Sequence, residues 1–440
     1  MILNTYTNMT SVTIPSGVIL KNDLSKMFYN LKNLRSVTIA NDVKENVVNM
    51  HRAFYNCHNL QREAFCGEHV VDMSEAYWDC KNITSFACSD SVINMHNTFH
   101  HCFKVKTAPI CGNNVVDFSG AYMQCNNATG APVCGDKVTN MCNTYRECFR
   151  LRGAPVCGPN VTNMSGTYTY CNNLTGSPVC GDNVIDMSGT YSGCHTMSFS
   201  DPPVCGPNVI YFGGAYSSTM VTGQPVCGEK VIEMNVTYYN CTGLSGYPVC
   251  GPNVIGMDRT YYNCTSLSGN PVCGEKVTTM NGTYYNCIYL TGNPVCGDNV
   301  TNMINTYYNC KRLTGSPVCG DKVTNMRYTY CNCSSITGSP VCGPNVTNMI
   351  SAYYGCNNLT GSAVCGDNVT NMSNTYYSCN NLITAACGPK VTDMSNTYHF
   401  CSNLTTAVCG ENVTNMSCAY KLCVNLIGSA ACGDKVINME

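Results

Sequence analysis

Apolar residues recur along most of this chain at steps of three or four, inside a longer beat. In GNPVCGDNVTNMINTYYNCKRL, residues 292–313, the apolar positions are Val300, Met303, Tyr307, Cys310 and Leu313. That spacing places them on one side of a helix-like arc. The residues between them are mostly Thr and Asn, which are poor helix formers. The pattern therefore predicts a short helical or 3-10 turn, not a long helix. The following Thr314-Gly315-Ser316-Pro317-Val318-Cys319-Gly320 predicts a very short strand. Its proline removes one ladder donor, which so short a strand tolerates.

The longer beat is about 23 residues. The cysteine of the VCG element falls at positions such as Cys250, Cys273, Cys296 and Cys319, and a second cysteine, in the YYNC element, at Cys264, Cys287 and Cys310. Methionine keeps the same step at Met141, Met164 and Met187, and Phe118 fills one slot of that row. A period this regular predicts a solenoid in which each unit contacts mainly its neighbours. We expect one short parallel strand plus one helical or 3-10 turn per coil, and about 18 coils.

The first 60 residues carry a family resemblance. LRSVTIANDV (34–43) and MTSVTIPSGV (9–18) share an L-x-x-V-x-I-like strand core, and VNMHRAFYNCHNL (48–60) supplies an A-F-x-x-C-x-x-L element. Together they resemble the BspA-like class of leucine-rich repeats, found in bacterial, protist and phage surface proteins. The resemblance covers essentially the whole chain and implies a right-handed leucine-rich-repeat superhelix. Aligning LRSVTIAND with LTTAVCGEN (404–412) puts Ile39 on Cys409, so it implies that the VCG cysteines replace inward isoleucines. It also equates the YYNC cysteines with the family's buried cysteine. Both series, Cys250, Cys273, Cys296 and Cys319 with Cys264, Cys287 and Cys310, are then expected as core ladders.

If those cysteines point inward, the preceding valines point outward. Val249, Val272, Val295, Val318 and Val341 would form an apolar stripe fit for binding; the opposite phase would bury valine and expose thiols. The resemblance equates Tyr261, Tyr284, Tyr307, Tyr353 and Tyr376 with a buried aromatic. Their neighbours Tyr262, Tyr285, Tyr308, Tyr354 and Tyr377 would form an outer row able to meet sugars or a partner protein, or simply pack half-buried.

The chain has 440 residues and 36 cysteines. Three states of the thiols stay open: reduced core fillers, rung-to-rung disulfides and metal ligands. His96, His100, His101 and Cys102 make one local cluster, and a surface role suits these histidines better than a ligand set; we expect no metal and no cofactor. With 24 Lys+Arg against 26 Asp+Glu and no basic stripe, nucleic acid is a poor partner. The sequons at Asn160, Asn163 and Asn173 recur too densely for glycans on each, and predict asparagine and threonine ladders instead.

Residues 1–50 lack cysteine and read as N-terminal capping repeats, followed by one continuous cysteine-rich array over 51–440, irregular at 195–228 and without a C-terminal cap. Neither a secretory signal nor a membrane-length apolar run is visible, which suggests a virion or cell surface reached by a non-classical route, or otherwise the cytoplasm. No G-x-S-x-G, H-E-x-x-H or P-loop occurs, so an enzyme is not expected. The expected function is a structural and binding repeat protein, a surface adhesin or phage virion fibre or decoration component recognising a host protein or glycan. The alternative is a self-assembling filament or sheath protein with no ligand. A homo-oligomer docked through the C-terminal coil is a further expectation.

Overall fold

The structure, a computed structural model, describes residues 6–61, 63–195, 202–427 and 433–439. Cys432 and residues 196–201 of the irregular stretch lie outside the described residues. The chain divides into two compact units, Met1–Val221 and Thr222–Glu440, and the division falls inside 195–228.

Each unit is a stack of coils. One coil of the second unit shows the plan. Val300, Met303, Tyr307, Cys310 and Leu313 are all fully buried, as their spacing predicts. Burying such side chains contributes roughly 1.5–3 kcal/mol each, offset by the cost of ordering the chain. The turn itself is not a helix. The amides of Thr306, Tyr308 and Cys310 donate to the carbonyls of Met303, Asn305 and Tyr307. The alternate amides of Met303, Asn305, Tyr307 and Asn309 leave the coil and donate to Asn325, Arg327, Thr329 and Cys331 of the next. Half of the donors close local turns and half tie the coils together.

This alternation needs a left-handed backbone at two points. Asn305 has φ 57° and Asn309 φ 60°. Most L-residues resist that region by about 1–2 kcal/mol, whereas asparagine and glycine enter it readily. Asparagine suits these two points, although Val236, Arg259 and Tyr328 hold the first of them in other coils, and a continuous helix is excluded.

Polar groups inside the stack are met across coils. Thr306 is fully buried, with its hydroxyl 2.8 Å from the carbonyl oxygens of both Met280 and Met303. The Cys310 thiol donates to the Tyr284 carbonyl of the previous coil at 3.0 Å. A YYNC cysteine is therefore more than filler: it is a short side chain carrying one weak donor, placed under one carbonyl.

The expected strand per coil is largely replaced by something else. Parallel ladders occur between β1 (Ser11–Ile14) and β2 (Ser36–Ile39), in register Val12 to Val37 and Ile14 to Ile39, and between β3 (Gly361–Ser362) and β4 (Leu382–Thr384). The described helix is one turn, α1 (Asn41–Lys44). In the other coils, among the described residues, the Pro-Val-Cys segment makes no ladder. The Tyr307 hydroxyl occupies its backbone instead, accepting from the Val295 amide at 2.9 Å and donating to the Val295 carbonyl at 2.7 Å. β1 and β2 both read Ser-Val-Thr-Ile, β-branched and free of proline, and there the ladder forms. Elsewhere the coils meet at isolated parallel bridges, such as Asn302 to Asn325 and Asn325 to Asn348.

Buried tyrosines stack through each unit. Tyr145, Tyr168 and Tyr191 follow one another in the first, with centroids 5.7 and 5.6 Å apart. Tyr284, Tyr307 and Tyr330 do so in the second, at 5.5 and 5.4 Å. The first 50 residues join the first unit the same way, with Phe28 stacked on Phe54 at 4.9 Å.

Candidate functional site

The coil places the tyrosine after each buried one on the flank of the turn, beside the left-handed asparagine. In the second unit Tyr239, Tyr262, Tyr285 and Tyr308 stack in sequence, with centroids 4.9, 4.3 and 4.5 Å apart and interplanar angles of 17°, 3° and 5°. All four are half-buried. Next to them Asn263, Asn286 and Asn309 each donate a side-chain amide to Asn240, Asn263 and Asn286, at 2.6, 2.6 and 2.5 Å. The phenols of Tyr262, Tyr285 and Tyr308 titrate above the ordinary tyrosine value, first because burial disfavours the charged form and then because of neighbouring groups: the next tyrosine for Tyr262 and Tyr285, Cys331 for Tyr308.

This ladder is one wall of an open trough of about 1140 Å³. Asn235, Asp258, Asn281, Gly282, Asn302, Ile304 and Asn305 line the rest, together with Arg259 and Arg327. Tyr328 turns its edge to Tyr308 at 6.4 Å and 76°, and the Arg327 guanidinium lies over Tyr328 at 5.0 Å. Gly282, at φ 60°, keeps the middle of the lining free of side chain. Because the rings lie face to face, their faces are spent on one another. What the ladder offers outward is ring edge and hydroxyl, one per coil.

The predicted outer row is therefore two ladders. Tyr262, Tyr285 and Tyr308 belong to the first; Tyr354 and Tyr377 form a second, 4.6 Å apart. Between them Cys331 takes the ladder position and is buried. The sequence showed that break, since YTYCNC (328–333) departs from YYNC. Tyr239 was equally legible. Asp258, Arg259 and Arg327 carried no repeat signal, and only stacking brings Arg327 into the same lining as the other two.

The valine stripe is not present as expected. Val249, Val272, Val295, Val318 and Val341 are half-buried, and so are Cys250, Cys273, Cys296 and Cys319. The fully inward residue of the segment is the proline before them, for example Pro294. Without a ladder the two-residue alternation lapses, and the VCG sulfur turns to the seam between coils. An added Cβ at Gly343 would meet the Cys319 sulfur at 2.9 Å and the Gly320 carbonyl at 2.8 Å, so the glycine after each such cysteine admits the next coil. Cys264, Cys287 and Cys310 lie in the core. An exposed β-branched row does exist, at Val48, Val71, Ile93 and Val116, one step before the bridge residues.

These seven cysteines are free thiols. Burial pushes Cys250 up to about 11 and Cys273 and Cys319 up to about 12; Cys264, Cys287 and Cys310 are raised further by the same cause. Thiols held so far from the thiolate are weak nucleophiles and weak metal ligands. His100 and His101 keep their rings together, centroids 4.3 Å apart, but the cluster does not converge on one point: His96 pairs with Ser119, His100 with Gln124, and the Cys102 thiol with the Tyr77 carbonyl. His101 lies 3.6 Å from Asp79. The sequon amides are also engaged, Asn160 on the Asp136 carbonyl and Asn173 on that of Phe149, while the Asn163 side-chain oxygen accepts the Ser165 amide. Among the described residues no helix is long and apolar enough to cross a membrane.

The signature of the BspA type leucine rich repeat region matches residues 4–129 and 323–427, in 6 copies. No curated protein matches the sequence. Among solved structures, YopM from Yersinia enterocolitica WA-314 is similar over 93% of this chain and 82% of its own, at 11% identity and TM-score 0.44. A leucine-rich repeat protein from Bacteroides ovatus is similar over 98% and 83%, at 13% identity and TM-score 0.24. A leucine rich cell surface protein from Faecalibacterium prausnitzii is similar over 98% and 88%, at 15% identity and TM-score 0.27.

Proposed function

Since the chain belongs to the BspA-type leucine-rich-repeat family, we propose that it is a non-enzymatic binding scaffold whose recognition face is the trough walled by Tyr239, Tyr262, Tyr285 and Tyr308. The observation that carries this reading is the ladder itself: four half-buried tyrosines and a parallel asparagine row repeat the same polar edge at every coil beside an open trough. Such a surface suits a partner contacted at many weak points. The core thiols are too far from ionised to serve as nucleophiles, which supports a role without catalysis. Display on a cell or virion surface, as an adhesin or fibre component meeting a host protein or glycan, is the setting we favour.

The test is an immobilised panel of host surface proteins and glycans, probed with the full chain and with Tyr262→Ser and Tyr308→Ser. A ligand captured by the native chain and lost by both folded variants supports the reading. Capture unchanged in both variants sinks it.

A second reading, lateral self-assembly into filaments, is favoured by the exposed Val48, Val71, Ile93 and Val116 row. Electron microscopy of the native chain and of Val71→Lys separates the two. Ordered polymers that the substitution abolishes support assembly; dispersed particles in both remove it.

A further inference from the structure

Resting on the trough being the recognition face, we propose that its ligand is a linear acidic glycan, a sugar chain carrying carboxylate or sulfate groups, gripped at two points by Arg259 and Arg327. Both arginines line the trough, three coils apart in the repeat, and neither makes an ion pair among the described residues. Arg327 is steadied over the Tyr328 ring, which orients its guanidinium while leaving its charge unanswered. The one carboxylate in the lining, Asp258, already accepts the Asn281 backbone amide at 2.9 Å and its side-chain amide at 3.3 Å. The lining thus sets two arginines against one carboxylate, an excess of one positive charge that favours an anionic ligand.

Between the arginines the lining is hydroxyl and amide: the tyrosine edges, Asn235, Asn302 and Asn305. Such a surface suits a polyhydroxylated chain. An acidic peptide fits less well, because the inner ladder tyrosines are stacked face to face and leave no ring face to anchor an apolar side chain. The mode of contact also follows. With every ladder ring stacked on its neighbour, sugars lie along the edges and hydrogen-bond, and do not stack on the faces.

Calorimetric titration of the full chain with an oligogalacturonate, a heparin oligosaccharide and a neutral oligoglucan of similar length tests this. We expect binding of one or both acidic chains, the two arms deciding between carboxylate and sulfate, with no binding of the neutral chain. Arg259→Gln and Arg327→Gln each weaken it about tenfold, while Arg152→Gln, in the other unit, leaves it unchanged. Equal affinity for the neutral chain, or acidic binding untouched by both trough substitutions, overturns the acidic inference. If the tyrosine variants nevertheless abolish that binding, the recognition face stands and only its charge preference falls. Binding of none of the three chains overturns the glycan, and an acidic peptide titrated alongside then takes its place if it binds in an arginine-dependent way.

Discussion

The Tyr307 hydroxyl bridges the amide and carbonyl of a single residue, Val295, at 2.9 and 2.7 Å. The same relationship joins Tyr284 to Val272 and Tyr330 to Val318. Tyr307→Phe keeps the ring stack but strands two half-buried backbone groups. We expect it to cost about 1–3 kcal/mol, measured by urea unfolding. Destabilisation no larger than that of an exposed substitution such as Lys311→Ala would show that the hydroxyl is dispensable.

Asn309 combines a left-handed backbone with a rung of the amide ladder. Asn309→Ala loses both and is expected to cost about 1–2 kcal/mol, whereas Asn309→Gly loses only the ladder and should cost less. Unfolding midpoints that rank alanine above glycine would contradict a conformational origin of these asparagines.

Cys310→Ala removes a donor to the Tyr284 carbonyl and opens a small void, an expected loss of about 1 kcal/mol. Cys296→Ala, at a half-buried seam position, should cost less. A disulfide-forming reagent at neutral pH is expected to leave both thiols of the native chain unlabelled over minutes and to label them fully in guanidinium. Rapid labelling of the native chain would refute the protected seam.

Stability should also fall in alkali. Cys250, Cys273 and Cys319 titrate at about 11, 12 and 12 in the folded chain, against roughly 8.5 when unfolded. Above that lower value the unfolded chain has released these protons while the folded chain retains them, so unfolding becomes more favourable as pH rises. The stabilisation is complete below about pH 8 and declines through pH 9–12. An unfolding free energy that stays flat from pH 7 to pH 10.5 would contradict this.

The period and the core were legible in the residues. Val300, Met303, Tyr307, Cys310 and Leu313 are spaced as a buried set must be, and all are buried. Reading Ile39 onto Cys409 misled because it carried a strand's alternation into coils without a strand: Ile39 is buried, yet Cys409 is half-buried. Nothing local to Pro-Val-Cys reveals that a tyrosine twelve residues later will claim its backbone.

By itself the sequence determined that this protein repeats and which side of each coil turns inward. These are properties of spacing and of single residues. Only the tertiary structure decided that the valines and VCG cysteines share the seam, that the outer tyrosines spend their faces on each other, and that Arg259 and Arg327 flank one trough. Those outcomes depend on which coil lies against which, and stacking brings together residues more than 60 positions apart that no local pattern links.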